Sequence, residues 1–207
     1  AILPPTAYRD FVETGTCKPR FFENIAVFYS DFVGFTRLAG GIPPHQLMGA
    51  LGELFDCFDS IMSAHLCERI EVIGDAYLAV SGLDGDAGSM NRMANAATEI
   101  SEFLRGRNAR DLALGAPEFV ARIGLHFGSI IGGMVGGERL RFAIFGDAVN
   151  IAQRLEAGGE PGRITVSEEA ARELESCDQF VLRTREPFAA KGKGMLTAWE
   201  LSLARNE

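Results

Sequence analysis

Phe28-Tyr29-Ser30-Asp31-Phe32-Val33-Gly34-Phe35-Thr36 joins an aromatic, apolar run to a single carboxylate and then breaks at a glycine. With Ile25-Ala26-Val27 ahead of it, the run has the composition of a strand buried on both faces, so Asp31 falls where that strand emerges into a loop. A carboxylate there is costly unless a cation compensates it, or unless it caps a helix beginning near Gly34 or Phe35. A second stretch, Glu71-Val72-Ile73-Gly74-Asp75-Ala76-Tyr77-Leu78-Ala79-Val80, reads as two apolar strands turning at Gly74-Asp75 and delivers a second carboxylate to a turn. Paired carboxylates with few bases nearby in sequence suit Mg²⁺ or Mn²⁺, hard cations that take oxygen ligands and bridge to phosphates.

The 207 residues are 47% hydrophobic, enough to bury a substantial core in one domain. A net charge of −8 argues against a nonspecific nucleic-acid or membrane-surface binder, so an anionic ligand must be met by local cations. No apolar run reaches the length of a membrane span and the first residues lack a secretory pattern; the expectation is a cytoplasmic protein, or a cytoplasm-facing part of a larger one. Cys17, Cys57, Cys67 and Cys177 show no CxxC spacing and the histidines are only His45, His65 and His126, which disfavours zinc; reduced, packing cysteines are the default, with one disulfide left open.

Residues 1–21, with Pro4-Pro5, read as an N-terminal edge or linker, and residues 22–207 as the domain. Apolar positions from Leu47 to Met62 recur at helical spacing and predict a helix over Gln46 to His65; a second helix is predicted over Ser89 to Leu104, followed by a polar loop from Gly106 to Pro117. Phe119 to Phe127 reads as a strand ending at Gly128, Ile130 to Val135 as another, and Arg141 to Phe145 as its partner across a Gly136-Gly137-Glu138-Arg139 turn. A helix from Asp147 or Ala148 to Leu155, a short strand at Ile164 to Val166, a short helix from Glu168 to Glu175, and strands Phe180 to Thr184 and Thr197 to Leu203 complete the chain. Helices interleaved with hairpins favour an α+β fold with an antiparallel-rich sheet.

Ser30 to Thr36, Ile73-Gly74-Asp75-Ala76-Tyr77, Arg122-Ile123-Gly124-Leu125-His126-Phe127-Gly128 and Phe145-Gly146-Asp147-Ala148-Val149-Asn150-Ile151-Ala152-Gln153-Arg154 resemble, in order, the signatures of class III adenylate and guanylate cyclase catalytic domains. The resemblance covers roughly residues 22 to 201. It implies a ferredoxin-like βαββαβ core with additional C-terminal strands and a helix. It also implies attack of a ribose 3′-hydroxyl on the α-phosphate of a nucleoside triphosphate, with two divalent cations, Mg²⁺ or Mn²⁺, held by Asp31, Asp75 and the Phe32 carbonyl. The amides of Phe32, Val33, Gly34, Phe35 and Thr36 would cradle the phosphates, and Arg122 and Lys191 match the triphosphate-binding cations. Asn150 would orient the ribose and Arg154 would neutralise charge on the α-phosphate; one helical turn apart, they share a face. The structural alternative for Arg154 is a surface ion pair with Glu156 or Glu160. His126 reads as a satisfied core residue. The resemblance further implies a homodimer with shared sites, the 136–139 turn reaching the partner, and an upstream regulatory domain in the full protein.

Base choice rests on Glu71, Arg141 and Ala143. By resemblance, Glu71 stands where guanylate cyclases carry glutamate and adenylate cyclases lysine, and a carboxylate accepts from the guanine N1–H and N2–H₂ edge. Arg141 matches an arginine common in guanylate cyclases. Ala143 departs from both patterns and supplies no base contact. GTP is the preferred substrate on this reading; the alternatives are an adenylate cyclase with relaxed base recognition and a cyclase-like domain that binds nucleotide without turnover.

Overall fold

The computed structural model describes residues 8, 12–13, 18–113, 116–136, 141–190 and 194–204. Strand β1 (Arg20–Phe32) lies in the middle of the sheet, with Ile25 through Ser30 all buried. Its alternation sends Ala26, Phe28 and Phe32 into one core and Ile25, Val27 and Tyr29 into another. Asp31, two residues beyond Tyr29, therefore belongs to the second face.

After β1 come α1 (Phe35–Gly41), α2 (Pro44–Ala64), β2 (Glu68–Ile73), β3 (Ala76–Ser81), α3 (Ser89–Ala113) and β4 (Ala121–Val135). β1 pairs antiparallel with both β3 and β4, and the four strands lie in the order β2-β3-β1-β4. This is the ferredoxin-like βαββαβ arrangement expected from the sequence. Beyond it, β5 (Arg141–Phe145) pairs with β4, and α4 (Asp147–Ala157), β6 (Ile164–Ser167), α5 (Glu168–Leu174), β7 (Phe180–Thr184) and β10 (Ala198–Leu203) extend the sheet in the order β4-β6-β10-β7. Only the β4–β6 pairing is parallel among the described strands. Strands β8 (Phe188–Ala190) and β9 (Gly194–Leu196) form a separate hairpin.

Helices α2, α3 and α5 cover one face, where Phe28, Phe58, Tyr77, Met93, Ile100 and Leu125 are buried together. Each such side chain contributes about 1.5–3 kcal/mol by leaving water. On the other face, α4 and β5 cover Val27, Leu78, Val80 and Ile130 with Phe142, Ala148 and Ala152. Gly124 permits the close seating of α4: a Cβ there would stand 2.1 Å from the Ala152 carbonyl oxygen and 2.5 Å from the Glu156 nitrogen. The β2–β3 hairpin is tied to α2 by Asp59, which accepts from the Tyr77 hydroxyl (2.7 Å) and from Arg69 Nη1 (2.5 Å).

Two segments differ from the sequence expectation. Helix α3 continues through the supposed loop to Ala113, because buried Asn108 accepts from the Phe119 N–H (3.0 Å) and donates to the Phe119 carbonyl (2.9 Å), while Arg107 lies 5.2 Å over the Phe119 ring. These bonds need the helix to reach that far. The strands expected on either side of Gly128 are one 15-residue strand; the irregularity falls on β1 instead, where the register shifts between Phe22 and Ile25 and Asn24 adopts φ 58°. Among the described residues no helix is long and apolar enough to cross a membrane, and Cys57, Cys67 and Cys177 are free thiols.

Candidate active site

Asp31 sits at the end of β1 and Asp75 in the turn between β2 and β3, where Gly74 takes the positive φ of 66° that the tight turn requires. Ser30 is the register partner of Tyr77, which brings the two acids side by side. The Asp31 carboxyl acts directly on that of Asp75, and the backbone N–H groups of Phe32 and Asp75 partly offset it. Burial, and then the adjoining Asp31 carboxyl, push Asp75 up to about 7. Two adjoining carboxylates cannot both ionise at no cost without a cation, so an acidic pair here fits the chemistry of Mg²⁺ or Mn²⁺, hard cations that take oxygen ligands. No group of three or more acidic, histidine or cysteine side chains is placed to hold a metal among the described residues. The candidate site therefore has two carboxylates among the described side chains.

The Phe32 side chain is unavailable to a ligand: it is buried against Phe55, Phe58 and Phe119. Only its backbone faces the site. Val33, expected to offer its amide to the phosphates, instead donates that N–H to the Val120 carbonyl (2.8 Å), because the chain stays paired with the approach to β4 one residue past β1; Gly34, at φ 66°, then turns the chain into α1. Gly34 is the N-cap of that helix and no side chain caps it, so Asp31 is not held there as a cap. Phe35 and Thr36 head α1, where amides have no intrahelical acceptor.

Arg122 on β4 is the register partner of Asp31. Its Nε donates to Oε1 of Glu156 at 2.8 Å. Burial raises the Glu156 pKa, Arg122 opposes the rise, and Asp31 adds to it. Nearby, the Tyr29 hydroxyl accepts from Gln153 Nε2 (3.3 Å), and its pKa is raised by burial and then by Asp31. Tyr29, Gln153 and Glu156 are site neighbours that sequence reasoning did not assign. The signal for Tyr29 was its place two residues before Asp31 on the same strand face; the Arg122–Glu156 contact joins residues 34 apart and left no local trace.

Asn150 and Arg154 lie one turn apart on α4, Asn150 exposed and Arg154 half-buried. Glu156 pairs with Arg122, and Glu160 lies 3.6 Å from Arg185, so neither forms the ion pair considered for Arg154. Arg154 Nη1 is shielded from solvent and has no hydrogen-bond partner among the described residues. Glu71 on β2 and Arg141 on β5 meet directly, Arg141 Nη1 donating to Glu71 Oε1 at 2.6 Å. Ala143 follows two residues along β5, on the same side of that strand as Arg141. His126 is buried, with Nδ1 2.8 Å from Ser167 Oγ and 3.6 Å from Glu169. Lys191, its neighbour Lys193, and residues 137–140 of the β4–β5 turn lie outside the described residues.

An α+β sheet that places an acidic pair at its strand ends, an Asn/Arg helix across it and a Glu/Arg pair at its edge defines the class of nucleotidyl cyclase catalytic domains. Residues 17–202 match the adenylate and guanylate cyclase catalytic domain, and the chain belongs to that family. Within it the similarity is to the guanylate cyclase type. The chain is 38% identical over 199 residues to receptor-type guanylate cyclase gcy-7 of Caenorhabditis elegans, covering 96% of the chain and 18% of that protein. It is 34% identical over 200 residues to guanylate cyclase 2D of Rattus norvegicus, covering 94% and 18%. The chain thus spans only 18% of the length of each of these curated relatives. The guanylate cyclase domain of RhGC from Catenaria anguillulae, solved in complex with GTP, superposes with a TM-score of 0.82 at 26% identity, covering 90% of this chain and 100% of that one.

Proposed function

We propose that the domain converts GTP to 3′,5′-cyclic GMP and pyrophosphate. The ribose 3′-oxygen forms a bond to the α-phosphorus, the bond to the β-phosphate oxygen breaks, and the 3′-hydroxyl proton passes to solvent. Two divalent cations, held by Asp31, Asp75 and the Phe32 carbonyl, would lower the pKa of the attacking hydroxyl and neutralise the departing pyrophosphate. The observation that carries this reading is the placement of Asp31 and Asp75 at adjoining strand ends, with Arg122 in register beside Asp31. The amides of Gly34, Phe35 and Thr36 and the Arg122 and Lys191 side chains bind phosphate oxygens, the Val33 N–H being engaged by the Val120 carbonyl. Asn150 orients the ribose, and Arg154, whose shielded Nη1 has no acceptor, meets charge developing on the α-phosphate.

For the base, Glu71 accepts from the guanine N1–H and N2–H₂ edge, and Arg141 holds it from the other side. Ala143 supports a second reading, an adenylate cyclase with relaxed base recognition, because its methyl group reads neither base. One neutral hydrogen bond contributes about 1 kcal/mol, and an unpaired buried carboxylate costs more, which favours GTP. A non-catalytic domain is less favoured, since Asp31, Asp75, Asn150 and Arg154 are all present.

Each chain carries both the acidic pair and the Asn/Arg helix, which suits a homodimer with shared sites. Phe21, Ile131 and Phe145 add support: they lie in register across β1, β4 and β5 and are 61%, 48% and 56% exposed, an apolar row that a second copy would cover. The similarity to receptor-type relatives favours a catalytic module of a longer, regulated signalling protein, facing the cytoplasm. Incubating the purified chain with Mn²⁺ and either GTP or ATP, then separating the products, tests the reaction: cyclic GMP in excess is expected, and absence of both cyclic nucleotides refutes a cyclase.

A further inference from the structure

We propose that Glu156 is a positioning residue for phosphate binding: it holds the Arg122 guanidinium by Nε and so aims the remaining donors at the pyrophosphate of the substrate. The inference rests on the cyclase reading above. The Glu156 side chain is only 3% exposed, whereas that of Arg122 is 28% exposed, so the pair is anchored at its acidic end and open at its basic end. A buried carboxylate needs a partner, and breaking such a pair leaves an uncompensated charge. The guanidinium is a planar fork, so fixing Nε sets both the tilt of the plane and the direction of its Nη edge. Nε supplies the one hydrogen bond of the Arg122 side chain among the described residues. The anchor is rigid. Gly124 lets the Glu156 backbone press against β4, and Arg122 stands two residues before Gly124 on the same strand face. Across β1 from Arg122 lies Asp31, so an aimed guanidinium and the acidic pair address one polyphosphate.

The test measures kcat and KM with Mn²⁺–GTP, and binding of Mn²⁺–pyrophosphate by calorimetry, for wild type, Arg122→Ala, Glu156→Gln, Glu156→Ala and each Glu156 change combined with Arg122→Ala. Pyrophosphate binding is expected to weaken about tenfold or more in Glu156→Ala, within the range seen when an orienting partner of a ligand-binding group is lost. The loss should appear mainly in KM. Glu156→Gln, which still accepts from Nε, should recover part of the loss, and on the Arg122→Ala background neither Glu156 change should add a further loss. A purely structural role predicts the opposite, losses that add to that of Arg122→Ala. Additive losses, or wild-type pyrophosphate affinity in both Glu156 variants, overturn the proposal. If Glu156→Ala does not fold, the Glu156→Gln cycle decides alone. Wild type that binds Mn²⁺–pyrophosphate but turns over neither GTP nor ATP would remove the cyclase reading and leave the positioning role decided by calorimetry.

Discussion

At the scale of single residues, protonation of Asp75 bears on stability and on the metal binding proposed for it. In the metal-free chain its carboxyl is raised from 3.8 to about 7, by burial first and by Asp31 second. Between those values the folded state holds a proton that the unfolded chain releases, so the folded state is the one binding more protons and stability falls as pH rises through the window. On that proposal a divalent ion displaces the proton, so Mn²⁺ affinity should rise roughly fivefold from pH 6 to pH 7 and flatten above it. Calorimetry in two buffers of different ionisation heat counts the proton released; Asp75→Asn should abolish the release, and pH-independent binding would contradict the assignment. The base-reading role proposed for Glu71 is tested by the same kind of argument. Glu71→Lys alone places an ammonium against Arg141, 2.6 Å from the present carboxylate oxygen, and leaves guanine donors unpaired, so GTP turnover should drop by a factor of ten or more. Adding Ala143→Asp supplies an acceptor for the adenine N6 amino group and should move the kcat/KM ratio toward ATP. An unchanged ratio in the double variant means that these positions do not read the base.

At the scale of elements, α4 depends on a hydrogen atom at position 124. The three atoms nearest a Gly124→Ala methyl, the Ala152 carbonyl oxygen and the Glu156 nitrogen and Cα, all belong to the α4 backbone, so the helix must move as a whole. A cost of about 1–3 kcal/mol is expected, seen as a fall in Tm of several degrees. Activity should fall further than stability, because Asn150, Arg154 and Glu156 all ride on α4. Gly49→Ala in α2, where a methyl meets nothing within 4 Å, is the control and should be neutral or stabilising by up to about 1 kcal/mol. Equal behaviour of the two variants would dismiss the role given to Gly124. The contrast also marks what was legible in the sequence. Helix α2, the Gly74-Asp75 hairpin and α4 are local patterns of apolar spacing and turn residues, and their bounds follow from them. The end of α3 depends on Asn108 reaching Phe119, and the continuity of β4 past Gly128 depends on Asn24 absorbing the irregularity on the neighbouring strand. Those are tertiary bonds with no periodicity to read. The acidic pair was legible because each acid follows an apolar strand run, whereas the partner of Glu156 was not, since Arg154 is its neighbour in sequence and Arg122 in space.

At the scale of the molecule, one chain carries both sets of candidate site residues: the acidic end of β1 with the β2–β3 turn, and the Asn150/Arg154 face of α4. If a site takes one half from each of two copies, a chain with Asp31→Ala and a chain with Arg154→Ala are each inactive as homodimers. Their heterodimer contains one site with both lesions and one with neither. Random assortment makes half of the dimers mixed and half of their sites intact, so mixing equal amounts should restore about a quarter of wild-type activity. The apolar row gives a second handle. Phe21→Glu and Ile131→Glu place charges at exposed positions of the row, so the monomer should fold with little change in Tm while dimerisation weakens and activity becomes steeply dependent on protein concentration. Sedimentation and native mass measurement report the assembly directly. Heterodimers that form between the Asp31→Ala and Arg154→Ala chains yet remain inactive would show that the halves are not shared. Charged variants of the row that dimerise as wild type would instead place the interface on another face.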